Sequence, residues 1–229
     1  MTFSVTLAID TGHARCQSAV LLADGAVLSA AENRARGHAE VLIGQIDGLL
    51  ARAEIGYPGL QRVAVTTGPG SFTGLRVGLA AARGFGLALG VPVLGIPTLL
   101  ALSLGGPPDV PLTVLADARR GEVWRQRFAA PAQPLSPPEA VPVDAALAAI
   151  RPGEAVVGSA AAVAAERAGA IDLEAGLDPA ARGFVAIKAL IVFAATLDAA
   201  GWPPDPAYLR PPDARSQAGA RVARTQTGP

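Results

Sequence analysis

The chain reads as an α/β protein of two units lying side by side, and three features predict it. Apolar strand-like runs alternate with stretches of helical period along most of its 229 residues, the order expected of sheets covered by helices. The first half follows the order β-β-β-α-β-α until Gly105-Gly-Pro-Pro108 interrupts it. After that break strands come first and helices follow, so the plan begins again. At roughly 150 residues per domain the length allows one large or two small domains. The division is therefore a first domain over 1–105, a smaller second domain over 106–210, and a tail over 211–229.

Each element has its own signal. Phe3 to Ile9 alternates as a strand and ends in the turn Asp10-Thr-Gly12. Gln17 to Leu22 and Ala26 to Asn33 flank Asp24-Gly25, a hairpin turn of the kind that takes positive φ. From His38 to Ala53 the period changes: Leu42, Ile46, Leu49, Leu50 and Ala53 recur at helical spacing. Arg62 to Thr66 is a short strand, Gly68 to Gly74 a glycine loop, and Leu75 to Leu89 a second helix. Val91 to Ile96 then gives a strand, and Pro97 to Leu104 a helix with proline in its first turn. Beyond the break, Pro111–Asp117 and Glu122–Phe128 are strands joined around Arg119-Arg-Gly121. The proline-rich run 130–142 is a loop or extended crossing, and Ala155 to Gly158 a buried strand. Ser159 is a good N-cap for the next helix, and Arg182 to Ala200 forms the last one. The tail has three arginines, one aspartate and few core formers, a composition that predicts disorder. Two such units related by duplication are the plan of actin-like ATPases and sugar kinases.

Composition excludes several roles. Lys+Arg and Asp+Glu both number 19, so the formal charge is zero. A chain that gripped RNA unaided would carry a basic excess. One cysteine, Cys16, excludes an internal disulfide and a cysteine zinc site, and fits a reducing cytoplasm. Gly84 to Leu104 is uncharged and long enough to span a bilayer, yet Gly90, Pro92, Gly95 and Pro97 divide it, so no membrane segment is expected. His13 and His38 are the only histidines, and they form no metal-binding pair. His38 suits a helix-start role, and Cys16 suits packing rather than reactivity.

Two stretches could carry chemistry. Asp10 and Thr11 close the first strand, where α/β sheets place ligands, although an Asx-turn explains Asp10 equally well. Gly70 and Ser71 lie in Gly68-Pro-Gly-Ser-Phe-Thr-Gly74 before a helix, a natural seat for phosphate. The spacing matches neither the Walker loop nor the dinucleotide fingerprint, so a tight turn with Ser71 or Thr73 as N-cap stands beside that reading. The second helix adds an oddity. Gly74, Gly78, Ala82, Gly86 and Gly90 recur every fourth residue, although each interior glycine costs about 1 kcal/mol against alanine. A stripe without side chains lets another backbone approach, either within the fold or in a partner.

Taken together, Leu7-Ala-Ile-Asp-Thr11, His38-Ala-Glu40, Gly68-Pro-Gly-Ser-Phe-Thr-Gly-Leu-Arg76, Ala116-Asp-Ala-Arg119 with Gly121-Glu-Val123, and Tyr208-Leu-Arg210 closely resemble the bacterial TsaB (YeaZ) family. The resemblance implies a two-domain actin-like (ASKHA) fold. It implies a noncatalytic scaffold or activator in the cytoplasmic complex that transfers a threonylcarbamoyl group to N6 of adenosine 37, in tRNAs reading codons that begin with A. The implied partners are a TsaD-like catalytic subunit and a TsaE-like ATPase, with tRNA met only through the complex and self-pairing when the chain is alone. No cofactor of its own is implied, and ATP with magnesium belongs to the assembled complex. Carried onto this sequence, the partner-binding residues are His38, Glu40, Leu42, Ile46 and Leu49 on one helix. Leu75, Gly78, Leu79, Ala82 and Gly86 supply the other. Gly12-His13 departs from the family's usual small hydroxyl residue there, which weakens phosphate binding at Asp10. An actin-like small-molecule kinase or ATPase is the alternative; it lacks a visible second phosphate loop and adenosine pocket. The older metallopeptidase label meets no metal ligands.

Overall fold

The computed structural model describes residues 2–175, 182–207 and 209. Sheet A has the strand order β3-β2-β1-β4-β5, from β1 (Thr6–His13), β2 (Arg15–Leu21), β3 (Val27–Asn33), β4 (Arg62–Thr66) and β5 (Val93–Ile96). The first three strands form an antiparallel meander, and β4 and β5 run parallel to β1. Three helices belong to this half: α1 (His38–Arg52), α2 (Phe72–Leu89) and α3 (Thr98–Ser103).

Sheet B repeats the scheme. Its strands are β6 (Leu112–Arg119), β7 (Glu122–Ala130), β8 (Gln133–Pro134), β9 (Glu139–Pro142), β10 (Ala155–Val157) and β11 (Ile171–Asp172). The order is β11-β10-β6-β7-β8, with β9 also on β7. β6 and β7 are an antiparallel hairpin, and β10 and β11 lie parallel to β6 and to each other. β6 thus stands where β1 stands in sheet A, and β10 where β4 stands. The helices are α4 (Val143–Ala148), α5 (Ala161–Ala168) and α6 (Ile187–Ala195). This is the two-fold repeated α/β plan that the sequence predicts.

The central strands are buried on both faces, and successive residues alternate between the two cores, as the two-residue strand period requires. Leu7, Ile9, Val63 and Val65 face outward onto α1 and α2. Ala8, Ala19, Ala64 and Leu94 face inward onto a core shared with Leu112, Val114 and Phe128 of sheet B. Leu115, Val123 and Val156 meet α4 and α5 on the far side. The middle layer crosses over: α3 packs on β6 and β7, while α6 packs on β1 and β2. Each half therefore lends a helix to the other's sheet, and the core runs on across the break at 105–108.

Several local expectations need correction. The turn at Asp10–Gly12 is a bulge inside β1, which continues to His13. Residues 130–142 are not a loop throughout, because β8 and β9 add to β7. Ser159 does not cap α5, whose N-cap is Ala160; the Ser159 hydroxyl instead accepts a hydrogen bond from the Asp117 amide at 2.8 Å. The last helix starts only at Ile187, because the Gly183 amide and the Val185 carbonyl are bonded elsewhere. Tyr208, Arg210 and the tail 211–229 lie outside the described residues.

Candidate functional site

The first candidate is the end of β1. Asp10 is fully buried, and its carboxylate accepts three hydrogen bonds. Thr66 Oγ1 donates at 2.6 Å and the Gly12 amide at 3.1 Å to Oδ1, while Gln17 Nε2 donates at 2.9 Å to Oδ2. The Gly12 bond is the Asx geometry that the residue type favours. Thr11, also buried, donates its hydroxyl to the Gly74 carbonyl at 2.8 Å. The glycine loop folds onto the same place. The Ser71 amide donates to the Gly12 carbonyl at 2.7 Å, and a Cβ on Gly70 would lie 2.5 Å from that oxygen. Ser71 Oγ accepts from the Gly74 amide at 3.3 Å, capping α2. The structure therefore brings Asp10, Thr11, Gly70 and Ser71 together. The chain's own backbone and side chains bond to several of the polar groups gathered there.

Sheet B carries the matching position. A bulge breaks β6 between Asp117 and Arg119, as one breaks β1 after Asp10. The Asp117 carboxylate accepts the Arg119 amide at 2.8 Å, the same i to i+2 contact. Unlike Asp10 it is half exposed, and the Arg119 guanidinium lies 3.5 Å away. Among the described residues no cluster of three His, Cys, Asp or Glu side chains could hold a metal ion. Cys16 is buried, and burial together with Asp10 and Glu32 pushes its thiol up to about 11. His38 is buried at the start of α1, with Nε2 2.9 Å from the His13 carbonyl.

The second candidate is the outward surface of α1 and α2. Most of the residues expected to meet a partner face the other way. Leu42, Ile46 and Leu49 on α1, and Leu75, Leu79 and Ala82 on α2, are buried against sheet A. The glycine stripe is a closer correction. A Cβ on Gly78 would stand 2.5 Å from Thr11 Oγ1, one on Gly74 would strike the Thr11 carbonyl, and one on Gly86 would strike Val93. The stripe brings α2 down onto β1 and β5. It is an internal contact, and the neighbour is the sheet rather than a helix.

The face that does look outward carries other residues. Gly44 and Gly48 on α1 and Gly84 on α2 have open space where a Cβ would go. Ile43 is 46% exposed, Phe72 45% and Leu87 88%, although such side chains are usually buried. Ala39, Ile43, Phe72, Val77 and Ala80 line an apolar groove of about 490 Å³ between the helices. Arg76 lays its guanidinium 3.7 Å over the Phe72 ring at its rim. Glu40 is exposed and pairs with Arg34 at 3.2 Å. Of the named partner residues, Glu40 is exposed on α1, and Leu42, although buried, forms part of the groove lining. A helix period shows which residues share a face; Gly44, four residues before Gly48, was the available signal for the outer one.

Comparison with known proteins agrees with this architecture. A family model described as TsaD, tRNA N6-adenosine threonylcarbamoyltransferase, matches residues 30–163, more than half of the chain. The tRNA threonylcarbamoyladenosine biosynthesis protein TsaB of Escherichia coli is 36% identical over 121 residues, 52% of this chain and 52% of that protein. The chain belongs to the TsaB (YeaZ) family. The crystal structure of YeaZ from Pseudomonas aeruginosa superposes with a TM-score of 0.69 over 90% of this chain and all of that one, at 22% identity. It shows that this TsaB-family chain has the YeaZ fold. An uncharacterized Mycobacterium leprae protein is 40% identical over 129 residues, 55% of this chain and 35% of that one. The matched stretch of the TsaB-family chain thus spans about half or less of these curated relatives.

Proposed function

We propose that this TsaB-family chain is a noncatalytic subunit of a complex that makes threonylcarbamoyladenosine at position 37 of tRNAs reading codons beginning with A. The outward face of α1 and α2 carries the reading. It has an apolar groove lined by the exposed Ile43 and Phe72, and the same two helices carry open glycines and the exposed Leu87. Small residues let a second pair of helices come close, and the exposed apolar side chains give the contact its hydrophobic drive. The occupant is a TsaD-like catalytic subunit, with a TsaE-like ATPase joining the pair and a second copy of this chain taking the face when no partner is present. Asp10 works as a structural carboxylate, both oxygens accepting bonds from within the chain, from Thr66 and Gly12 on Oδ1 and from Gln17 on Oδ2. ATP and magnesium act in the assembled complex, and the work is cytoplasmic, where tRNA is.

The test is reconstitution. Threonylcarbamoyl incorporation into tRNA is measured with the TsaD-like and TsaE-like subunits, with and without this chain. The reading expects no incorporation by the pure chain and full activity only when all subunits are present. Turnover by the pure chain, abolished by Asp10→Ala, would instead make it an enzyme of the actin-like kind.

A further inference from the structure

The segment before α6 is bonded to both sheets at the ends of their parallel strands. On the first side, Gln17 of β2 is buried and spends both amide protons. Its Nε2 donates to Asp10 Oδ2 at 2.9 Å and to the Val185 carbonyl at 3.0 Å. On the second side, Glu174 is 8% exposed, and its carboxylate accepts two backbone amides. Gly158, at the end of β10, donates to Oε2 at 2.8 Å, and Gly183 donates to Oε1 at 3.1 Å. A carboxylate bridging two amides makes charge-assisted bonds, about twice as strong as neutral ones. The fit is close as well. Gly183 has φ +75, and a Cβ there would lie 2.7 Å from Ser159 Cα, so only glycine brings the segment this near the end of β10.

These contacts join into one path: Thr66 to Asp10, Asp10 to Gln17, Gln17 to Val185, and Gly183 through Glu174 to Gly158. The C-terminal ends of strands are where open α/β sheets receive ligands. Here a piece of the chain occupies that place. We propose that Gly183–Val185 is a latch, gripped by Gln17 of sheet A and by Glu174 in the turn that follows β11 of sheet B, that holds the two sheets in one closed arrangement and opens as a unit. The consequence is a subunit that presents both halves as one rigid body, independent of what docks on α1 and α2.

Amide hydrogen exchange on the full chain tests this. Glu174→Gln keeps the size but offers one acceptor oxygen and turns a donor toward a donor. The Gly158 and Gly183 amides should then exchange about tenfold faster or more, with the Ala8 and Ile9 amides of β1 unchanged. Gln17→Leu touches neither glycine amide, so a merely local role predicts no effect there. A latch predicts that Gln17→Leu speeds exchange at both. Acceleration by Glu174→Gln alone, or by neither variant, overturns the proposal. Should Gln17→Leu fail to fold, the unaltered protein decides: one shared opening free energy for Gly183 and for the Gly12 amide, which bonds to Asp10 on the sheet A side, supports the latch, and clearly separate values overturn it.

Discussion

His13 sits next to the bulge of β1 with both ring nitrogens buried and without a hydrogen-bond partner. Burial lowers its pKa below the ordinary 6.5, and the nearby Asp10 carboxylate only partly offsets this. The unfolded chain therefore takes up a proton that the folded chain refuses. Stability from this site is complete above about pH 6.5 and falls as pH drops through that value toward the folded one. Urea unfolding between about pH 7 and 5 should lose up to about 1.4 kcal/mol per pH unit from this residue, and His13→Leu should flatten the difference. Cys16 gives a second expectation. With the thiol pushed up to about 11, the folded protein at pH 8 should react with a disulfide reagent roughly a hundredfold more slowly than the unfolded chain. The packed character of Cys16 was legible in the sequence, since no basic residue but Arg15 stands near it in the chain. The fate of Asp10 was only half legible. Residue type announces an Asx turn, whereas Thr66 and Gln17 arrive from other strands and leave no local trace.

For the elements, α1 and its buried stripe could be read from period alone, because Leu42, Ile46 and Leu49 repeat at helical spacing. The glycine stripe of α2 was visible too, but its direction was not. Periodicity groups residues on a face without saying what that face meets, and here the small residues fit α2 tightly to β1 and β5. Opposite glycines should consequently respond in opposite ways. Gly78→Ala forces a methyl against Thr11 Oγ1 at 2.5 Å and should destabilise by about 1–3 kcal/mol, lowering the melting temperature. Gly84→Ala enters open space and should stabilise by up to about 1 kcal/mol through helix propensity. Thermal unfolding of both variants checks the assignment; equal responses would contradict it.

For the whole molecule, the repeated α/β plan was legible because element order survives in sequence. The crossing of α3 onto sheet B and α6 onto sheet A was not, since a short apolar helix carries no mark of which sheet it covers. The same limit hid the latch, whose members Gln17, Glu174 and Gly183 include one from the far end of the chain. Zero net charge gives little counterion release, so the isolated chain should bind tRNA only weakly at physiological salt.

If the outward face of α1 and α2 receives a TsaD-like subunit, as proposed, titration calorimetry against that subunit should read the contact. Gly84→Leu fills the open position between approaching helices, and Ile43→Asp places a charge in the apolar rim. Both side chains point away from the core, so each variant should melt within a few degrees of the unaltered chain. Both variants should lose affinity by about a hundredfold or more. Unchanged affinity in both folded variants would contradict the proposal.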